Sequence, residues 1–124
     1  MALNETNTYR PEALITGTMP VYSEPETFLT GALVAALTVV GRVTATGKLK
    51  KAVKTATDGS QKPVGIAVAD VDASAADAVG PTYKAGVFNP DMLVIDPSFS
   101  AEDVRIAFEG TPLFLRKPLG LTTF

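Results

Sequence analysis

Nineteen of the 124 residues are glycine or proline, 10 and 9 respectively, and they are spread along the whole chain. Glycine supplies backbone conformations needed in tight turns, and proline removes a donor and breaks helices. Long helices are therefore excluded over most of the sequence, and a compact, looped β barrel or clip is favoured. The length allows one domain and little more. Apolar residues make up 46% and charged residues 19%, against about 25% charged in an average soluble domain. Cysteine, histidine and tryptophan are absent. Disulfide staples, Cys/His zinc sites, cysteine nucleophiles and imidazole bases are thereby excluded. A chain of this size buries only about two-thirds of its unfolded surface, so its apolar excess calls for an unusually complete core or for partners.

Residues 1–27 stand apart from the rest. They carry Pro11, Pro20 and Pro25 among threonines and asparagines, and this pattern reads as an extended arm. Tyr9, Leu14, Ile15, Met19, Val21 and Tyr22 are spaced along it as apolar anchors, with Thr16 and Thr18 between them. Strand addition to a partner's sheet fits such a segment, because backbone bonds bind and alternate side chains select. Wrapping around its own domain fits equally well.

The body, residues 28–124, opens on the apolar run 28–40, which is shorter than the roughly 20 residues of a membrane-spanning helix. Ala and Leu suggest a short helical turn over 31–37. Thr38-Val39-Val40-Gly41-Arg42-Val43-Thr44 reads as a β-branched strand, Thr46-Gly47 as a turn, and residues 48–53 as a returning strand. Asp58-Gly59 is the strongest turn signal. Further strands are expected over 63–71, 82–88 and 113–115, with a short apolar piece over 92–95. One helix is expected after Ser100, whose N-cap side chain and Asp103 resemble a capping box. Val104, Ala107 and Phe108 share its inner face, and Gly110 ends it.

The chemical inventory is sparse. Asp70, Asp72 and Ser74 match the first spacings of a calcium loop, but Ala75 and Pro81 replace its glycine and terminal glutamate. No phosphate loop and no nucleophile elbow occur. Glu102 and Asp103 read as helix N-terminal residues favoured by the dipole. Net charge is −2, which argues against a phosphate-backbone ligand. The charges are nevertheless segregated. Six basic residues lie in 42–62 against one acidic, and seven acidic residues lie in 70–103 against Lys84 alone. Two solvated faces, or complementary patches that meet between copies, both satisfy that pattern. The start of the chain lacks the pattern of a secretory signal, so a soluble product made in the cytoplasm is expected.

Gly41-Arg42-Val43, Thr46-Gly47-Lys48-Leu49, Asp58-Gly59, Pro63-Val64-Gly65-Ile66, Asp70 and Asp72 follow one another in an order that resembles the lambda-type head decoration proteins of tailed bacteriophages. Tyr83-Lys84-Ala85-Gly86-Val87-Phe88 and Arg105-x-Ala107-Phe108-x-Gly110-Thr111 extend the resemblance over residues 28–116. The apolar stretch 29–37 and the tail beyond Arg116 depart from it. The resemblance implies a mainly β, β-clip-like domain with one short helix, preceded by the extended arm. It also implies a homotrimer on the outer surface of the expanded phage head, cementing the major capsid protein against packaged-DNA pressure. No enzyme activity, cofactor, metal, small-molecule substrate, direct nucleic-acid contact or membrane is then expected. The capsid-binding arm would comprise Tyr9, Leu14, Ile15, Thr16, Thr18, Met19, Val21 and Tyr22. Two alternatives are a head/tail adaptor of the virion and a β-clip nucleotide hydrolase, for which Asp58-Gly59 is the only candidate site.

Overall fold

In the computed structural model, which describes residues 20–117, the chain reverses where its turn signals are strongest. Gly59 has φ +104°, which L side chains rarely adopt. Asp58 Oδ1 beside it accepts from the Ser60 amide at 3.0 Å. The same Asp-x-Ser device recurs at Asp72/Ser74 and Asp96/Ser98, each with the serine amide donating at 3.0 Å. Short side chains that bond the backbone two residues on are what fix such turns.

Between these turns run β1 (Tyr22–Phe28), β2 (Leu33–Val34), β3 (Val39–Arg42), β4 (Leu49–Lys51), β5 (Pro63–Ala67), β6 (Val71–Asp72) and β7 (Ala78–Phe88), then α1 (Ala101–Ala107) and β8 (Leu113–Leu115). Pro90–Met92 forms a single 3-10 turn that leads into the short apolar piece over 92–95. The main sheet runs β1-β4-β3-β5-β7-β8, and β1 also pairs with β7. That extra pairing closes β1, β4, β3, β5 and β7 into a ring. Among the described residues the fold is thus mainly β with one α-helix, as the sequence leads one to expect.

The helical turn suggested over 31–37 is not formed. Leu37 has φ +67°, outside any right-handed helical path. Leu33 and Val34 instead pair with Asp72 and Val71 as β2 against β6. The Ala36 amide donates to Asp70 Oδ1 at 2.7 Å, and the Leu37 amide donates to the Ala67 carbonyl at 2.7 Å. Propensity is a weak prior, and these long-range partners override it. β7 also begins four residues earlier than the 82–88 expected, because residues 78–81 are paired with β1.

Two cores lie on opposite faces of the central strands. Val39 and Ile66 join Ala52, Phe88, Val104, Phe108, Leu113 and Leu115 on one side. Val40 and Ala67 join Phe28, Val34, Leu49, Val71 and Ala73 on the other. Adjacent residues of a strand point to opposite faces, so both faces of β3 and β5 are dry. A bulge adjusts this pattern. Val40 faces Gly65 but Gly41 faces Pro63, which makes Val64 the extra residue and turns it toward the second core.

Helix α1 closes the first core. Ser100 Oγ accepts from the Asp103 amide at 3.1 Å, and Asp103 Oδ2 accepts from the Ser100 amide at 3.0 Å, forming the expected capping box. Val104 and Phe108 are buried against the sheet. Gly110 follows with φ +87°.

Candidate functional site

Of the eight arm residues singled out, Tyr9, Leu14, Ile15, Thr16, Thr18 and Met19 lie outside the described residues. Val21 and Tyr22 are described, and both are exposed, at 42% and 57%. They stand at the entrance to β1. The Tyr22 hydroxyl donates to Glu24 Oε2 at 3.1 Å, and that carboxylate raises the phenol above its ordinary range. A boundary drawn after residue 27 falls inside β1, whose last residue, Phe28, is fully buried.

β1 is fastened to the body by an antiparallel ladder to β7 along its whole length, from Tyr22–Ala85 to Phe28–Ala78. Pro25 stands opposite Pro81 in that ladder. A second bulge sets Tyr22 against Ala85 and Ser23 against Tyr83, leaving Lys84 as the extra residue. Lys84 Nζ then lies 2.6 Å from Glu26 Oε2. Arg42, from β3, donates to both oxygens of the same carboxylate at 3.3 and 3.1 Å, and to the Gly47 carbonyl at 2.7 Å. Glu26 and Lys84 are both largely buried, with side chains 18% and 19% exposed. The Arg42 hydrogen bonds, with Lys84 assisting, hold the Glu26 carboxyl below its ordinary range against the opposing effect of burial. One carboxylate thus ties three strands together at the root of the arm.

This cluster was not singled out from the sequence. The signal was present in Lys84, the one basic residue in an acidic stretch, and in the Glu24-Pro25-Glu26 step. Neither shows which partner it meets.

The other candidates resolve into structural roles. Asp58 accepts from the Ser60 hydroxyl and amide and lies 3.5 Å from Lys50, which together lower its carboxyl. The Thr44 amide donates to the Asp58 carbonyl at 2.9 Å, so the Asp58-Gly59 loop is seated on the chain just after β3. Asp70 is taken by the Ala36 amide and Asp72 by Ser74. Among the described residues no group of three or more acidic side chains is placed to hold a metal. No helix of the described residues is long and apolar enough to cross a membrane.

The segregated charges meet within the chain. Lys48 pairs with Asp77, Lys51 with Asp96 at 3.4 Å, and Lys54 with Asp103 at 3.1 Å. Asp77 also accepts from the Thr30 amide at 2.8 Å, joining the end of β1 to the start of β4. Three lysines of the basic run around β4 are therefore matched with three separate acidic segments of the same protomer, and Lys50 stands beside Asp58 within the run.

The fold and this fastening define a small β domain in which β1, entered at Tyr22, is laddered into a closed ring of strands. The family model of bacteriophage lambda head decoration protein D matches residues 2–112, nearly the whole chain. The chain belongs to that family, and the match takes in the N-terminal residues as well as the body recognised over 28–116. It is accordingly a structural protein of the phage head that decorates the capsid. No curated relative matches the chain.

Proposed function

We propose that this protein is a homotrimeric cement that binds the outer surface of the expanded head and stabilises it against the pressure of packaged DNA. The observation that carries the reading is the family match across residues 2–112, arm and body together. The arm engages the major capsid protein through Tyr9, Leu14, Ile15, Thr16, Thr18, Met19, Val21 and Tyr22, while the body supplies the contacts between copies. The protein acts without catalysis or cofactor, and Asp58, the one residue weighed for nucleotide chemistry, spends its carboxylate on Ser60 and Lys50.

The physics of three arms supports this reading. Each arm alone offers a modest interface and must be ordered on binding. Joined in one trimer, the second and third contacts become intramolecular, which raises avidity by about 10² to 10⁴. Binding that exists only on the assembled shell stabilises that shell by mass action.

Light scattering on the purified chain tests the trimer, and a monomer at micromolar concentration refutes it. Deleting residues 1–21 is expected to leave a folded trimer that no longer binds expanded heads. Retained binding by the truncated chain refutes the role of the arm. Addition of the intact chain to heads is expected to raise their resistance to heat.

A further inference from the structure

The closed ring of strands has one thin junction. β1 meets β4 at a single paired position, Phe28–Leu49, and that pairing is parallel, the slightly less stable kind. Every other junction of the ring is antiparallel and paired at more than one position. The backbone adds one further bond here, from the Leu29 amide to the Leu49 carbonyl at 2.8 Å.

Side chains close the rest of this junction, one to each side of Phe28. Just before it, Glu26 accepts from Arg42 at 3.1 and 3.3 Å, and Arg42 also holds the Gly47 carbonyl ahead of β4. Just after it, the Thr30 amide donates to Asp77 Oδ1 at 2.8 Å, and Lys48 pairs with the other oxygen of that carboxylate. Both ties reach the turn that leads from β3 into β4, and each depends on one carboxylate.

The groups that face these two carboxylates are donors. Glu26 meets Arg42 from β3 and Lys84 from β7, while Glu24, on its own strand, is bonded to Tyr22. Asp77 meets Lys48 and the Thr30 amide. Arg and Lys have no acceptor, so a protonated carboxyl cannot direct its O–H at either. Protonation of Glu26 also strips the countercharge from two cations, of which Lys84 is largely buried. Asp77 is about one-third exposed and contributes the smaller part.

We infer that the β1–β4 junction is an acid-sensitive seam. Protonation of Glu26 and Asp77 parts the ring between these two strands, while the β1–β7 ladder and the core under α1 stay intact. Opening there exposes Phe28 and Leu49, which are wholly buried in the core on one face of β3 and β5. The core around Phe88 and Phe108 lies on the opposite face and keeps its cover. Asp77 is held below its ordinary range by Lys48 and the Thr30 amide, as Glu26 is by Arg42 and Lys84. Both ties are therefore complete above the ordinary carboxylate values of about 4 and are lost as pH falls through the lower, folded ones.

The test is amide hydrogen exchange on the full-length chain, since local opening shows as faster exchange confined to the bonds it breaks. Glu26→Gln with Asp77→Asn imitates the protonated pair at pH 7. The seam amides are Leu29, bonded to Leu49, and Val43, bonded to the Lys48 carbonyl at 2.8 Å. Both are expected to exchange about tenfold faster in the double variant, the effect of losing one charge-assisted bond. The Phe108 amide in the helix and the Val68 amide, bonded to Pro81 at 3.1 Å, are expected to keep their rates. Asp96→Asn, which removes a paired carboxylate away from the seam, is expected to leave Leu29 and Val43 unchanged. Unchanged seam amides in the double variant overturn the inference, as does equal acceleration at all four amides or acceleration of the seam by Asp96→Asn. Should the double variant not fold, the unaltered chain is followed from neutral into acid pH with intrinsic rates corrected. There the exchange of Leu29 relative to Phe108 is expected to climb as pH falls, and a constant ratio overturns the seam.

Discussion

Gly41 lies directly beneath Ser60, so close that a Cβ on the glycine would stand 2.1 Å from the serine carbonyl oxygen. Both residues are buried, and the obstacle is backbone on each side. β3 and the turn after Asp58 can meet only because residue 41 has no side chain. Gly41→Ala is expected to destabilise the fold by about 3 kcal/mol, at the upper end of overpacking costs. A urea titration would show this as a lower midpoint with an unchanged slope.

Thr82 offers the opposite case. It is fully buried, and its Oγ1 has no hydrogen-bond partner. A buried hydroxyl without a partner is destabilising, and valine keeps the β-branched shape while removing it. Thr82→Val is expected to stabilise by about 1 kcal/mol. The same titration would register a raised midpoint.

Phe108 joins the helix to the first core and is 1% exposed. Phe108→Ala should cost about 3–5 kcal/mol through lost burial and the cavity left behind. Because α1 has few other buried residues, its amides should exchange faster than those of β3 in this variant.

The capping box makes a local prediction. Ser100→Ala removes the acceptor for the Asp103 amide and is expected to cost about 1 kcal/mol. Ser100→Asp should recover most of that loss, which separates capping from packing in a thermal melt.

Glu26 sets a pH dependence whose sign follows from its lowered folded-state carboxyl. Such a group contributes stability that is fully present above its unfolded value, and this is lost as pH falls through the folded one. Asp58, Asp72 and Asp96 are shifted in the same direction by their serine partners. Stability should therefore be level near neutral pH and fall across the acid range of carboxylates. Glu26→Gln is expected to cost about 1–2 kcal/mol at pH 7, since it leaves Lys84 largely buried with its partner neutralised. It should also flatten the acid limb of the stability curve, whereas a parallel curve would remove Glu26 from this role.

What the sequence determined by itself was whatever a few neighbouring residues can encode. The Asp58-Gly59 turn, the Ser100–Asp103 cap and the end of the helix before Gly110 all depend on local dihedrals and local bonds. The tertiary structure decided the rest, because each outcome depends on a partner distant in the chain. Residues 22–28 look like arm until β7, at least 50 residues on, supplies their ladder. Leu33–Val34 is a strand because β6 is beside it, although its composition favours helix. The charged runs resolve only when β4 is laid against Asp77, Asp96 and Asp103. A strand has no internal hydrogen bonds to fix it, so its place and phase are set by what it pairs with. The two prolines at 25 and 81 can be read off the sequence, but only the closed ring shows that they face each other.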